Sequence, residues 1–210
     1  MHYEETRPVE AKQVLFFAYH AIFNRAVLRA GPFVRSCEIY EANVLYREDA
    51  LHYHDSSSWV FREGVLRDSG INAISVLHHL MPGVNFVPEE VHASYADGTN
   101  SMIRLRAVFS TNTSCRGTLD LDWAYKGRER REVLLRTPED TWKLDLVDGQ
   151  VYHNGNQLEP DKSRGQFLTG EYDHLLRTFS KSIENGSSSA ESGEIRFMEA
   201  VERMINSGGV

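Results

Sequence analysis

The central part of the chain alternates between hydrophobic and polar residues. The alternating segments cover residues 90–95, 102–110, 115–125, 132–136, 141–146 and 151–153. Alternation of this kind is typical of strands that bury one face. Short turn sequences separate several of the segments, namely Ala96-Asp97-Gly98, Lys126-Gly127 and Asp148-Gly149. We therefore expect consecutive strands that pair in the antiparallel sense.

The N-terminal part mixes two patterns. The apolar run over residues 14–19 predicts a buried strand, residues 22–30 a short helix ended by Gly31-Pro32, and residues 34–45 a further strand. A polar loop rich in aromatic residues follows over 46–63. Apolar residues then recur at helical spacing and predict a helix over 71–81, which Pro82-Gly83 ends.

The C-terminal part is helical. Residues 172–185 and 192–206 are both amphipathic and are separated by a Gly/Ser turn. Strands in a run with helices at both ends predict an α+β fold, with one large, mostly antiparallel sheet and helices on one face. We expect one domain over residues 14–206, an N-terminal extension over 1–13 and a disordered tail over 207–210.

Composition narrows the possible partners. The 210 residues include 23 Lys and Arg against 30 Asp and Glu, a formal net charge of −7, so nucleic acid and anionic membranes are not expected as partners. The chain shows neither a secretory signal nor an apolar run long enough to cross a bilayer, which predicts a cytoplasmic protein. Its two cysteines, Cys37 and Cys115, lie in strand-like segments and are expected to be buried free thiols.

The common phosphate-binding and nucleophile motifs do not occur. The sequence contains no G-x-G-x-x-G, no G-x-x-x-x-G-K-[ST] and no G-x-S-x-G. Strands and helices also do not alternate as they would in a Rossmann domain. The residues that would bind a dinucleotide therefore stay unassigned.

Asp68 and Asn72 are the first candidates for chemistry. Four positions at a helix entrance place both side chains on one face, where they can share one ligand hydroxyl. The alternative is that Asp68 caps the helix while Asn72 is an exposed polar residue. The spacing alone leaves both possibilities open.

The loop before this helix supplies further polar and aromatic groups. Five of them lie within fourteen residues: Glu48, His52, His54, Trp59 and Phe61. Carboxylate, imidazole and indole groups are what a sugar pocket uses for hydrogen bonds and for stacking. His52 and His54 lack a third ligand, so no metal site is predicted. His20 follows the predicted strand 14–19, at the end where α/β sheets place ligand groups.

The pattern Gly64-x-x-x-Asp68-x-Gly70-x-Asn72 resembles a family motif. It is similar to the D-x-G-x-H motif that opens the helix of the second domain in the Gfo/Idh/MocA oxidoreductases. Asn72 stands in place of the usual histidine. With this replacement, the motif is most similar to the branch of bacterial D-galactose and L-arabinose 1-dehydrogenases. The resemblance extends from about Val14 to Ile205. It implies the C-terminal, substrate-binding domain of the family, which is of the glyceraldehyde-3-phosphate dehydrogenase type.

The resemblance also implies roles for single residues. Asp68 and Asn72 would be catalytic: Asp68 would orient the sugar C1 hydroxyl or accept its proton as a hydride leaves for NAD or NADP, and Asn72 would hold the same hydroxyl. The matching positions for substrate binding are His20, Glu48, His54 and Trp59. The product would be a sugar lactone.

The N-terminal cofactor domain of the family has no counterpart in this sequence. We therefore expect the substrate-binding half of an NAD(P)-dependent aldose dehydrogenase that needs a Rossmann domain in cis or in trans. The alternative is a non-catalytic module for sugar binding or dimerisation. We also expect a homo-oligomer through the sheet face, to which Leu119, Leu121 and Trp123 could contribute unless they pack on the helices.

Overall fold

The computed structural model describes residues 19–53, 59–159, 167–185 and 193–208. A 3₁₀ turn at His20–Phe23 comes first, and a π-helical turn at Leu66–Gly70 precedes the fourth helix. The helices are α1 Arg25–Val34, α2 Ala50–Tyr53, α3 Trp59–Val65, α4 Ile71–Leu80, α5 Phe167–Asn185 and α6 Gly193–Asn206. The strands are β1 Glu41–Arg47, β2 Phe86–Tyr95, β3 Met102–Thr111, β4 Arg116–Asp122, β5 Arg130–Arg136, β6 Thr141–Asp145, β7 Gln150–His153 and β8 Asn156–Gln157.

The predicted fold class is confirmed. The eight strands form one sheet in the order β2-β3-β4-β1-β5-β6-β7-β8, and all pairs but one are antiparallel. Helices α1, α4 and α6 pack on one face of the sheet. Of the strand predicted over 14–19, residues 14–18 lie outside the described residues.

Strand pairing differs from the prediction at one place. Consecutive strands pair antiparallel from β2 to β4 and from β5 to β8, but β4 does not pair with β5. Strand β1 lies between them, parallel to β4 and antiparallel to β5. Close approach of β1 and β4 requires Gly117, since a Cβ at this position would meet the Ala42 carbonyl oxygen at 1.7 Å.

The first helix runs further than predicted. Gly31 and Pro32 lie inside α1 instead of ending it, and the strand expected over 34–45 begins only at Glu41. Apolar positions continue at helical spacing to Val34, which is 1% exposed, so burial of this face outweighs the loss of one hydrogen bond at Pro32.

The buried face of the sheet corrects one expectation. Leu119, Leu121 and Trp123 are at most 1% exposed and belong to the core beneath the helices, so they cannot form a contact between subunits. Because side chains alternate along β4, the opposite face carries Asp120 and Asp122.

Ion pairs cover that opposite face. Arg47 binds Asp120 at 2.6 Å, and Arg104 binds Asp122 at 2.9 Å. Glu132 lies between Arg130 at 3.1 Å and Lys143 at 3.3 Å. The outer face of the sheet is therefore a network of paired charges rather than an apolar surface.

The two cysteines differ in their surroundings. Both thiols are free, and Cys115 is fully buried beside β4, whereas Cys37 is half-buried in the turn after α1 and not in a strand. His78 and His79 are half-buried, and His78 packs edge-on against Phe86. None of the helices in the described part of the chain has the length and apolar character needed to cross a membrane.

Candidate functional site

A cavity of about 480 Å³ opens where β1, β4 and β6 end and β5 begins. Along the buried face of β1, apolar positions alternate up to Tyr46, and the next position on that face is Glu48. The buried face of strand β5 also changes from apolar to polar at this edge. Arg131 lies on the same face as the buried Val133 and is the register partner of Tyr46. The pattern that builds the core therefore continues into polar residues at this edge.

The turn before α4 forms the opposite wall. Gly64 has φ +76°, and a Cβ there would lie 3.1 Å from the Met102 carbonyl oxygen, so this bend requires glycine. The chain then enters the π-helical turn that carries Asp68 and Ser69. Asn72 follows in the first turn of α4.

Four of the predicted site residues line this one cavity. They are His20, Glu48, Asp68 and Asn72. His54 lies outside the described residues, and the structure describes only the backbone of Trp59, at the start of α3. The geometry brings the four side chains together, while their chemical roles stay predictions.

The Asn72 amide is oriented by its own helix. Its Nδ2 donates to the Asp68 carbonyl oxygen at 3.0 Å, and the side chain is half-buried, not exposed. Neither Val65 nor Gly70, the residues before the two helical segments, makes a side-chain cap bond. Asp68 lies within the helical turn, with its side chain at the cavity.

A chain of hydrogen bonds holds Glu48. The buried indole of Trp123 donates through Nε1 to Ser69 Oγ at 2.8 Å, and Ser69 Oγ donates to Glu48 Oε1 at 3.0 Å. Arg131 Nη2 donates to the other oxygen, Glu48 Oε2, at 2.9 Å. Both carboxylate oxygens are thereby fixed in place.

Arg131 is a site residue that the sequence analysis missed. Its Nε lies 2.8 Å from Glu129 Oε1, and its guanidinium carbon lies 5.8 Å from the centre of the Tyr46 ring. An arginine on the buried register of β5 was the available signal, since charged residues are rarely buried without a partner.

His20 lies in the cavity wall, and its surroundings lower its pKa and so favour the neutral imidazole. It stacks on Tyr172 with ring centres 5.6 Å apart. Burial and the nearby Arg131 cation lower the pKa of His20, against the opposing effect of Asp68. A neutral imidazole both donates and accepts a hydrogen bond, which suits contact with a hydroxyl group.

Glu171 and Asn24 are two further polar residues of the cavity that sequence reasoning missed. Glu171 lies on α5, is only 7% exposed and accepts a hydrogen bond from Asn24 Nδ2 at 2.6 Å. Burial raises the pKa of Glu171, although Asn24 and Arg131 oppose this. The available signal was an acidic residue one turn before the buried Leu175 on an amphipathic helix.

The charges around the cavity indicate the kind of ligand. Among the described residues that line the cavity, four carboxyl groups, from Glu48, Asp68, Glu129 and Glu171, accompany one guanidinium, that of Arg131. This balance repels anions, and the carboxyl, imidazole and amide groups that line the cavity can form hydrogen bonds to a ligand with several hydroxyl groups. Among the described residues, no group of three or more His, Cys, Asp or Glu is arranged to hold a metal ion.

A curated relative matches most of the chain. The chain is 23% identical over 175 residues to a galactose 1-dehydrogenase of Pseudomonas fluorescens, and the match covers 82% of the chain and 55% of the relative. The chain thus spans little more than half the length of this relative. No family model matches the sequence.

Solved structures share the fold. The D-galactose-1-dehydrogenase of Rhizobium etli superposes with a TM-score of 0.78 at 22% identity, over 91% of this chain and 60% of that one. An oxidoreductase domain protein of Kribbella flavida superposes with a TM-score of 0.79 at 12% identity, over 94% of this chain and 65% of that one. A levoglucosan dehydrogenase in complex with NADH and L-sorbose superposes with a TM-score of 0.71 at 14% identity, over 91% of this chain and 65% of that one.

These comparisons and the eight-stranded sheet confirm the resemblance inferred from the Asp68 motif. The chain has a homologue in galactose 1-dehydrogenase and the fold of the C-terminal domain of Gfo/Idh/MocA-type oxidoreductases.

Proposed function

We propose that this chain is the substrate-binding half of an NAD(P)-dependent oxidoreductase that oxidises an aldose at C1 to a lactone. The observation that carries the proposal is the cavity itself, where His20, Glu48, Asp68 and Asn72 line one space with groups that can bind the hydroxyl groups of a sugar. The volume of about 480 Å³ lies within the range of small-molecule sites. Its relatives include sugar dehydrogenases, which agrees with this chemistry.

The proposed roles are those that the family resemblance implies. Asp68 would accept the proton of the C1 hydroxyl, and Asn72 would hold the oxygen of the same group. His20 and Glu48 would bind other hydroxyls, Glu48 with its oxygens already aligned by Ser69 and Arg131. His54 and Trp59 are proposed to complete the pocket. NAD or NADP supplies the hydride acceptor when bound.

The cofactor would be held by a Rossmann domain, on the same polypeptide or on another. We propose that this domain docks on α5, where Tyr172, Leu176 and Ile183 are each 50% to 56% exposed. Helical spacing places the three within about 40° of one another, so they form one apolar stripe. Since Tyr172 stacks on His20, the stripe begins at the cavity wall. A domain seated there would bring its cofactor to the proposed catalytic residues.

Turnover and sugar binding test the catalytic roles separately. The chain is mixed with NAD⁺ or NADP⁺, a panel of aldoses and a candidate Rossmann-domain polypeptide as the cofactor domain, and the absorbance of the reduced cofactor is followed. Asp68→Asn should lower turnover by about 100-fold or more and leave aldose binding nearly unchanged. Asp97→Asn, in an exposed turn, serves as the control.

Two outcomes would contradict the proposal. If no aldose binds the wild-type chain, the sugar site is wrong. If aldoses bind but the wild-type chain shows no turnover with the cofactor domain, or Asp68→Asn turns over as fast as wild type, the proposed catalytic role is wrong.

Docking is tested in the same assay. Leu176→Arg should reduce turnover with the separate cofactor domain, because a charge then interrupts the apolar stripe. Sugar binding to the chain alone should not change. Val87→Arg, at a residue 47% exposed on the edge strand β2, should have no effect on either measurement.

We also propose that the chain self-associates through the outer face of the sheet. Its paired charges, such as Arg47 with Asp120, would then lie at the interface between subunits. Static light scattering should show a dimer or larger oligomer at low salt, and Asp120→Lys should shift it towards monomer. A monomeric wild-type chain under these conditions would disprove this part.

A further inference from the structure

Glu171 occupies an unusual position for a carboxyl group. It lies in the wall of the cavity, and its residue surface is only 7% exposed. Burial of a carboxyl group is costly unless hydrogen bonds replace the lost water. Asn24 provides one such bond, at 2.6 Å to Glu171 Oε1, and the structure gives the carboxyl no second hydrogen-bond partner among the described residues.

Asn24 is itself fixed in one orientation. Its Oδ1 accepts the Ala26 N–H at 3.0 Å, as the N-cap of α1, and its Nδ2 donates to the Leu146 carbonyl oxygen at 2.9 Å. Rotation of the amide by half a turn would place Oδ1 against the Leu146 oxygen, where no hydrogen is available. Nδ2 must therefore face Glu171 and hold Oε1.

The nearest cation does not satisfy the second oxygen. Arg131 influences Glu171 electrostatically, but its guanidinium is engaged by Glu48 and Glu129. As far as the described residues show, the second oxygen of Glu171 is thus left for a group that enters the cavity. A site with one oxygen anchored and one open is built to recognise a hydrogen-bonding ligand rather than to stabilise the fold alone.

We infer that Glu171 is a specificity-determining residue that hydrogen-bonds one hydroxyl group of the bound sugar, and that Asn24 is its positioning residue. The inference rests on the proposed function, which supplies the ligand class. A buried polar group that pairs with a ligand hydroxyl strongly disfavours the analogue that lacks it, because the group is then left unpaired. Glu171 would accordingly select among sugars that differ at a single carbon.

A comparison of deoxy sugars tests this role. Binding of D-galactose and of its single-position deoxy derivatives to the full chain is measured by NMR titration, for wild type, Glu171→Ala and Glu171→Gln. In wild type, one deoxy sugar should bind about 10- to 100-fold more weakly than D-galactose. In Glu171→Ala, D-galactose and that same deoxy sugar should bind equally well.

Two variants keep the test decisive. Glu171→Gln preserves the shape and the bond from Asn24, so it remains useful if Glu171→Ala does not fold, and it should reduce the preference at that one position. Glu184→Gln, at an exposed acid on the same helix, should retain the full wild-type pattern.

The outcomes separate this inference from the proposed function. If aldoses bind but both Glu171 variants keep the wild-type preference at every position, the role of Glu171 is wrong while the sugar site stands. If no aldose or deoxy sugar binds the wild-type chain, the proposed function is wrong and the role of Glu171 is lost with it.

Discussion

Replacement of Ser69 by alanine removes the centre of the network that holds Glu48. Ser69 is 5% exposed, accepts from the Trp123 indole at 2.8 Å and donates to Glu48 at 3.0 Å. In Ser69→Ala the buried indole N–H loses this acceptor. Glu48 keeps its bond from Arg131 but loses the second anchor.

Each loss has a typical magnitude. An unsatisfied buried donor costs about 1–3 kcal/mol, and a hydrogen bond to a charged group contributes about 1.5–3 kcal/mol. Because Glu48 stays paired with Arg131, the two effects should not add fully. We expect the free energy of unfolding to fall by about 2–4 kcal/mol. For a chain of this size, about 3 kcal/mol corresponds to a decrease in Tm of roughly 6–12 °C.

Ser75→Ala is the matched control. Ser75 is 1% exposed on α4, and its Oγ donates to the Asn72 carbonyl oxygen at 2.8 Å. Its removal takes away a donor and leaves no buried N–H without an acceptor, so the cost should stay below about 1 kcal/mol. Urea unfolding, followed by circular dichroism, measures both variants.

Equal losses for the two serine variants would refute this reasoning. So would an unchanged fluorescence spectrum of the Ser69→Ala protein in its native state, since the Trp123 indole then could not have lost its partner. If Glu48 binds a sugar hydroxyl as proposed, Ser69→Ala should also weaken aldose binding, whereas Ser75→Ala should not.

Three further predictions concern the frame around the site. Gly117→Ala should destabilise the fold by about 3 kcal/mol or more in urea unfolding, because the new methyl group meets a β1 carbonyl. The control Gly170→Ala, which has open space around it on α5, should be neutral or stabilising by up to about 1 kcal/mol. Equal effects of the two substitutions would contradict this prediction. Burial and the nearby Arg35 cation lower the pKa of His79 to about 4, below its value of about 6.5 in the unfolded chain. The contribution of His79 to stability is therefore present above pH 6.5 and is lost as the pH falls towards 4. His79→Gln should therefore show a smaller drop in urea midpoint than wild type between pH 7.5 and 4.5. Burial raises the pKa of the Cys115 thiol to about 11, so a thiol reagent at pH 8 should modify Cys37 in the native protein and both cysteines in denaturant.

Local features of the fold were predictable from sequence. Helix α4 and most strands follow from short-range periodicity, and the spacing of Asp68 and Asn72 indicated that they share a face. Local patterns do not reveal which distant strands pair. The insertion of β1 between β4 and β5 depends on contacts across the sheet, so it was missed.

The residues of the cavity also depend on tertiary contacts that local sequence patterns do not reveal. Arg131, Glu171 and Asn24 come from a strand, a late helix and an early turn, and each looks unremarkable within its own segment. Only the register of β1 with β5 and the docking of α5 near the His20–Phe23 turn bring them together. Chemistry assembled by tertiary contacts cannot be read from one sequence without the fold.

The central position of β1 also orders the folding of the chain. The strands β2 to β4 and β5 to β8 form two meanders of local pairs, whereas β1 reaches β4 across 75 residues at the Asn43–Thr118 contact. Closure of so long a loop is entropically costly, so local hairpins should form first and β1 should join them late. Since Glu48 follows β1 directly, an intermediate with both meanders would have nearly its full strand content but no cavity. Ligand binding would then report the last step of folding, which a spectroscopic measure of strand content would not detect.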